Sequence, residues 1–135
     1  MNVIPILASA GITGFESPAS DYHQLPLSLD ELLIDHPSAT FIGQASGDSM
    51  QNIGIFDKDI LIVDRHVTVK NQDVIVANYN GNFVCKLIDT QRRLLLSAND
   101  NYHSVVIHEH DSFNIEGVVV RSIRCHRTSP VLAGK

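Results

Sequence analysis

A serine and a lysine stand out as residues that could do chemistry together. Ser49 lies in residues 45–50, Ala-Ser-Gly-Asp-Ser-Met, directly after strand-forming residues at 39–42. Gly47 allows positive φ, and an Asp side chain bonds nearby backbone, so we expect a tight corner at the end of a strand. Such a corner can present a nucleophile, but a serine hydroxyl needs a base to take its proton at neutral pH.

Lys86 is the candidate base. It lies in a predicted strand over residues 82–88 that carries apolar side chains on both faces. Asn80-Gly81 predicts a two-residue hairpin turn that sets Ile75 opposite Lys86. Burial among apolar groups disfavours the charged form of a lysine, and only an uncharged amine can accept a proton. An ordinary turn and a lysine that reaches solvent would explain the same residues.

Four blocks of the sequence resemble the UmuD family, the SOS mutagenesis proteins related to the self-cleaving domain of the LexA repressor. The blocks are residues 14–19, 32–40, 45–50 and 61–64. In that family the serine of Gly-Asp-Ser-Met is the nucleophile, and the lysine of a Phe-x-x-Lys-type strand is the general base. The resemblance therefore implies a serine–lysine dyad of Ser49 and Lys86, at the family's usual separation.

The resemblance also implies the biological setting. Members of the family remove their own N-terminal arm when a RecA–single-stranded DNA filament stimulates them. The trimmed protein, a homodimer, then serves as the accessory subunit of a Y-family translesion polymerase of the UmuC type. No cofactor or metal is implied.

Two bonds in the predicted arm are candidates for self-cleavage, since the family cuts before a glycine. Register with the block at 14–19 points to Thr13-Gly14. The preference for a small, unbranched residue ahead of the cut points to Ala10-Gly11, which we favour.

The length and composition indicate one globular domain. The 135 residues include 10 Lys plus Arg against 15 Asp plus Glu, a formal net charge of −5. This charge disfavours direct DNA binding, which depends on phosphate neutralisation by basic side chains. Two cysteines without CxxC spacing, and no apolar run long enough to span a membrane, favour a cytoplasmic protein with reduced thiols.

The predicted organisation is an extended, mobile arm over residues 1–27 and a β-rich peptidase domain over residues 28–135. Ser28 and Glu31 form a capping box that starts a short helix ending before Pro37. Strands are predicted at 39–44, 60–64, 73–79, 82–88, 93–96, 104–107 and 113–125, with a bulge or bend at Gly117. We expect a mainly β fold, a strongly bent sheet of the LexA/UmuD type.

Three alternative interpretations remain open at this stage. A Ser-His-Asp triad would pair Ser49 with His36 or His66, although spacing selects neither histidine. A LexA-like transcriptional regulator would need a helix-turn-helix, and the residues before Ser28 lack its length and period. The third is a polymerase accessory protein with a vestigial dyad.

His103, His108 and His110 fit a surface loop better than a metal site.

Overall fold

The computed structural model describes residues 1–6 and 28–130. The described part contains one α-helix and eight β-strands. They are β1 (Asn2–Ile6), α1 (Leu29–Leu33), β2 (Thr40–Ser46), β3 (Ile60–Asp64), β4 (Val74–Tyr79), β5 (Asn82–Asp89), β6 (Leu94–Leu96), β7 (Val105–Val106) and β8 (Phe113–Ile123).

The strands form one antiparallel sheet in the order β1-β2-β3-β8-β4-β5-β6-β7. The sheet curls until β1, already paired with β2, also meets β5 at Asn2 and Val84. A mainly β fold with a strongly bent sheet and one short helix is therefore confirmed. β1 lies between the strand that leads to Ser49 and the strand that carries Lys86.

β8 pairs with β3 on one side and with β4 on the other. The register shifts once on each side, opposite Ile62/Val63 and opposite Val76/Ala77. Extra residues of this kind bend a strand and increase its twist. The predicted irregularity at Gly117 is confirmed, because Gly117 borders the second shift.

Both faces of the bent sheet are covered by apolar side chains. Alternation along β4 sends Val76 to one cluster and Ile75 and Ala77 to the other. The first cluster also holds Val3, Met50 and other buried residues close to the corner. The predicted corner and the strand of Lys86 thus rest on the same packed interior.

Local sequence signals account for the turns. Asn80 and Gly81 have φ of 50° and 88°, as a type I′ hairpin turn requires, and Ile75 lies opposite Lys86 as predicted. The Ser28 side chain accepts a hydrogen bond from the Glu31 backbone N–H at 3.1 Å, and the helix ends before Pro37.

Element limits differ from the predictions by a few residues. β2 runs to Ser46 rather than Gln44, and β8 stops at Ile123 rather than Cys125. Residues 2–6 of the predicted arm form a full strand, longer than the short β segment expected at Val3-Ile4, because β2 offers an unpaired edge. The rest of the arm lies outside the described residues.

Candidate active site

Ser49 lies on the turn that follows β2. Gly47 takes a φ of 107°, and its N–H donates to Asp57 Oδ1 at 2.8 Å, which fixes the start of the turn. The next residue after the serine, Met50, is fully buried in the core. Ser49 itself is only 1% exposed. The corner forms as predicted, and the hydroxyl is held inside the protein.

The structure brings Lys86 to this corner from β5. Lys86 Nζ lies 3.5 Å from Ser49 Oγ and 2.7 Å from Ser97 Oγ. Nζ also lies 5.5 Å from the centre of the Tyr102 ring, within the range of a cation–π interaction. The Ser49 contact is at the long limit of a hydrogen bond, and the Ser97 contact is short.

A second amine reaches the serine. The amino group of Met1 donates to Ser49 Oγ at 2.6 Å, at the start of β1. Burial lowers the pKa of this amino group to about 5, and the positive charge of Lys86 acts in the same direction. Within the described part of the chain, both partners of the Ser49 hydroxyl are therefore nitrogen bases.

A loop after β6 supports both halves of the site. Ser97 holds Lys86, while Asn99 Nδ2 donates to the Asp48 carbonyl at 2.9 Å and the Tyr102 hydroxyl donates to the Asp48 carboxylate. The hydrogen bond to that carboxylate raises the pKa of Tyr102, and partial burial adds to the effect. One loop thus ties the serine corner to the lysine.

Sequence reasoning missed this loop. The signal was the pairing of β5 with β6, in which Leu87 faces Leu96, so that the next pair along is Lys86 and Ser97. Directly opposite residues on antiparallel strands interact through their side chains. Pairing the predicted strands at 82–88 and 93–96 as a hairpin in this register would have placed Ser97 opposite Lys86.

The histidine alternatives do not assemble at the serine. His36 Nδ1 lies 2.6 Å from Asp64 Oδ2, and the His36 and His66 rings are 4.3 Å apart. Burial alone would raise the pKa of Asp64, but hydrogen bonds from the His36 side chain and the His66 backbone outweigh it and lower that pKa. A triad of Ser49 with either histidine is not formed in the described residues.

The remaining candidate residues do not lie at this site within the part of the chain that the structure describes. His108 and His110 stack at a centroid distance of 5.2 Å in an exposed loop. Residues 1–6 and 28–130 contain no group of three His, Cys, Asp or Glu side chains suited to a metal ion, and no helix there has the length and hydropathy to cross a membrane. Ala10, Gly11, Thr13 and Gly14 lie outside the described residues.

Comparison with known proteins identifies the family of the chain. Residues 3–120 match the family model described as Peptidase S24-like. Protein MucA of Salmonella typhimurium is 35% identical over 125 residues, covering 91% of this chain and 86% of MucA. Protein ImpA of Escherichia coli is 35% identical over 127 residues, covering 93% of this chain and 86% of ImpA.

Another relative matches over a shorter region. The LexA repressor of Pectobacterium carotovorum subsp. carotovorum is 37% identical over 91 residues, which is 65% of this chain and 45% of that repressor. The family resemblance found in the sequence blocks is thereby confirmed. The chain belongs to the Peptidase S24-like family, and within it to the UmuD family of SOS mutagenesis proteins.

Proposed function

We propose that this protein is a serine peptidase that cuts its own N-terminal arm, with Ser49 as nucleophile and Lys86 as general base. The observation that carries the proposal is the 3.5 Å approach of Lys86 Nζ to Ser49 Oγ on a support of shared hydrogen bonds. A base within one hydrogen bond of a hydroxyl is the geometry that nucleophilic catalysis requires.

The reaction proceeds in two steps. Uncharged Lys86 takes the Ser49 proton, and Oγ bonds to the carbonyl carbon of Ala10 or Thr13. The peptide C–N bond then breaks, and Lys86 returns the proton to the amine of Gly11 or Gly14, which leaves an ester on Ser49. Water, deprotonated by Lys86, hydrolyses that ester and restores the serine.

We propose that the described arrangement of this site is its resting state. A substrate carbonyl must approach Ser49 Oγ to about 3 Å before attack. Ser49 is 1% exposed, and the Met1 amino group lies 2.6 Å from its hydroxyl. The beginning of β1 therefore fills the space that a scissile peptide needs, and it must move before cleavage.

Chain length separates the two candidate bonds. Ile6 pairs with Ile42, while Asn2 pairs with Ser46 beside the corner, so Ile6 lies about 13 Å from that end of β2. Ala10 is four residues beyond Ile6, and four extended residues span at most about 14 Å, which leaves no length for a reversal. Thr13 is seven residues beyond and reaches about 24 Å.

When a chain cuts its own arm in cis, cleavage at Ala10-Gly11 therefore requires β1 to unpair completely. Cleavage at Thr13-Gly14 requires only that the first residues of β1 leave the corner. We propose that the RecA–single-stranded DNA filament stimulates cutting by favouring the state in which β1 is displaced. The trimmed homodimer then joins a Y-family translesion polymerase.

The decisive experiment incubates the purified chain alone from pH 7 to pH 10, and with activated RecA filament, and identifies fragments by mass spectrometry. We expect one cut, at Ala10-Gly11 or Thr13-Gly14, and an unassisted rate that rises with pH as the lysine loses its proton. Ser49→Ala and Lys86→Ala should each abolish the cut without loss of fold. Lys70→Ala and Ser122→Ala, at exposed positions, are the matched controls.

Two outcomes would overturn the proposal. Cleavage that continues unchanged in Lys86→Ala would remove the lysine from the base role. A wild-type chain that stays intact with filament and at high pH would favour the accessory protein with a vestigial dyad. A gel-shift on duplex DNA addresses the LexA-like regulator, and we expect no binding at a net charge of −5.

A further inference from the structure

We infer that Ser97 is a positioning residue that orients the Lys86 amine toward Ser49. The inference rests on the proposed dyad and extends it to a residue outside the family motif blocks. Lys86 Nζ lies 2.7 Å from Ser97 Oγ but 3.5 Å from Ser49 Oγ. The lysine is held more firmly by Ser97 than by its proposed partner in catalysis.

The hydrogen bond to Ser97 restricts how the uncharged Lys86 amine can be oriented. A neutral primary amine has two N–H groups and a single lone pair, and only the lone pair can take a proton. When one N–H is committed to Ser97 Oγ, the amine loses much of its freedom to rotate about the Cε–Nζ bond. The lone pair can then be kept facing the Ser49 hydroxyl, as proton transfer requires.

The fold holds Ser97 in place for this role. It follows directly after Leu96, the last residue of β6, and Leu96 pairs with Leu87, the neighbour of Lys86 on β5. The Ser97 and Lys86 side chains are both partly buried. The centre of the Tyr102 ring lies 5.5 Å from Nζ, so the ring limits the positions that the amine can take on that side. The pairing of Leu96 with Leu87 therefore brings the Ser97 hydroxyl close to the Lys86 amine.

The first test compares pH–rate profiles of self-cleavage. We expect Ser97→Ala to lower the rate at neutral pH by about 10-fold to 100-fold, the effect of a misplaced catalytic group. The Ser97 oxygen accepts a hydrogen bond from Lys86 Nζ, and an ammonium group donates such a bond more strongly than a neutral amine. Removal of this oxygen should therefore also move the rise of the profile to lower pH.

Matched variants separate positioning from structural support. Ser97→Thr keeps the hydroxyl and should restore most of the rate and the position of the profile. Ser122→Ala removes an exposed serine hydroxyl from β8 and should behave as wild type. A Ser97→Ala profile that is lower at every pH but unshifted, and that Ser97→Thr does not restore, would contradict the inference.

A second measurement does not depend on cleavage. In Ser49→Ala, the ¹³Cε resonance of Lys86 can be titrated by NMR with and without Ser97→Ala. We expect the midpoint of the titration to fall when the Ser97 hydroxyl is removed, and an unmoved midpoint would refute the role of Ser97. A wild-type chain that never cuts itself would defeat the proposed function, and this titration would still decide on Ser97.

Discussion

Val3 of β1 packs directly over Gly43 of β2. A β-carbon added to Gly43 would lie 2.6 Å from Val3 Cγ1, closer than two such carbons can approach. The side chain of Val3 is buried, whereas its neighbour Ile4 is 49% exposed. Because Gly43 has no side chain, Val3 fits beside it, and β1 can pair with β2 and cover Ser49.

Gly43→Ala should accelerate self-cleavage. The added methyl group opposes the packing of Val3 by about 1–3 kcal/mol, the usual cost of overpacking, which corresponds to roughly 5-fold to 150-fold in the population of displaced β1. Fragment formation over time measures the rate, and hydrogen exchange of residues 2–6 reports the displacement. Ile4→Ala, at an exposed position of the same strand, is the control; equal rates for all three proteins would refute the covering role of β1.

Tyr102→Phe should slow cleavage by a few-fold without lowering stability appreciably. The substitution removes the hydrogen bond to Asp48, next to the nucleophile, but keeps the ring beside Lys86. Tyr79→Phe is the matched control, because it removes a similar bond from a tyrosine hydroxyl to the Asp111 carboxylate on another part of the sheet. We expect that control to cut at the wild-type rate, and equal slowing in both variants would contradict a specific role for Tyr102.

Acid should destabilise the protein partly through Asp111. The His108 backbone N–H, and then the Asn80 side chain, donate to its carboxylate and lower its pKa from 3.8 to about 2. The unfolded chain binds this proton at higher pH, so the stabilisation is present above about pH 4 and is lost as pH falls toward 2. Melting temperatures between pH 2 and pH 5 should fall less steeply in Asp111→Asn than in wild type. Glu109→Gln, a neighbouring exposed carboxyl, should leave the slope unchanged.

Gly117→Ala should destabilise the fold. A β-carbon there would lie 2.8 Å from Val63 Cγ1 and 3.0 Å from the Asp64 carbonyl oxygen, and backbone cannot give way as a side-chain end can. We expect a loss of about 1–3 kcal/mol in the free energy of unfolding measured with urea. Ser122→Ala on the exposed side of the same strand should change it by less than about 0.5 kcal/mol.

The parts of this fold that the sequence predicts are those with local causes. The capping box at Ser28, the Asn80-Gly81 turn and the corner after Gly47 each depend on residues within a few positions of one another. The hairpin turn also determined that Ile75 faces Lys86. These signals made Ser49 and Lys86 candidates, and the resemblance to the UmuD family then implied that they form a dyad.

The parts that escaped prediction depend on contacts distant in sequence. β8 inserts between β3 and β4, and β1 pairs with strands about 40 and 80 residues away, arrangements that no local pattern encodes. The support of Asp48 by Asn99 and Tyr102 likewise joins residues about 50 positions apart. Their side chains carry no signal of their own in the sequence.

The segment that closes the sheet between β2 and β5 lies upstream of both candidate cleavage bonds. Once either bond is hydrolysed, that segment is no longer covalently attached and is retained only by backbone pairing and the packing of Val3. Its departure would leave two open edges, to which strands of other proteins can add. Self-cleavage would then be an irreversible switch. It would convert strand edges that β1 covers into unpaired edges that can bind other proteins, and only newly synthesised chains would have the covered form.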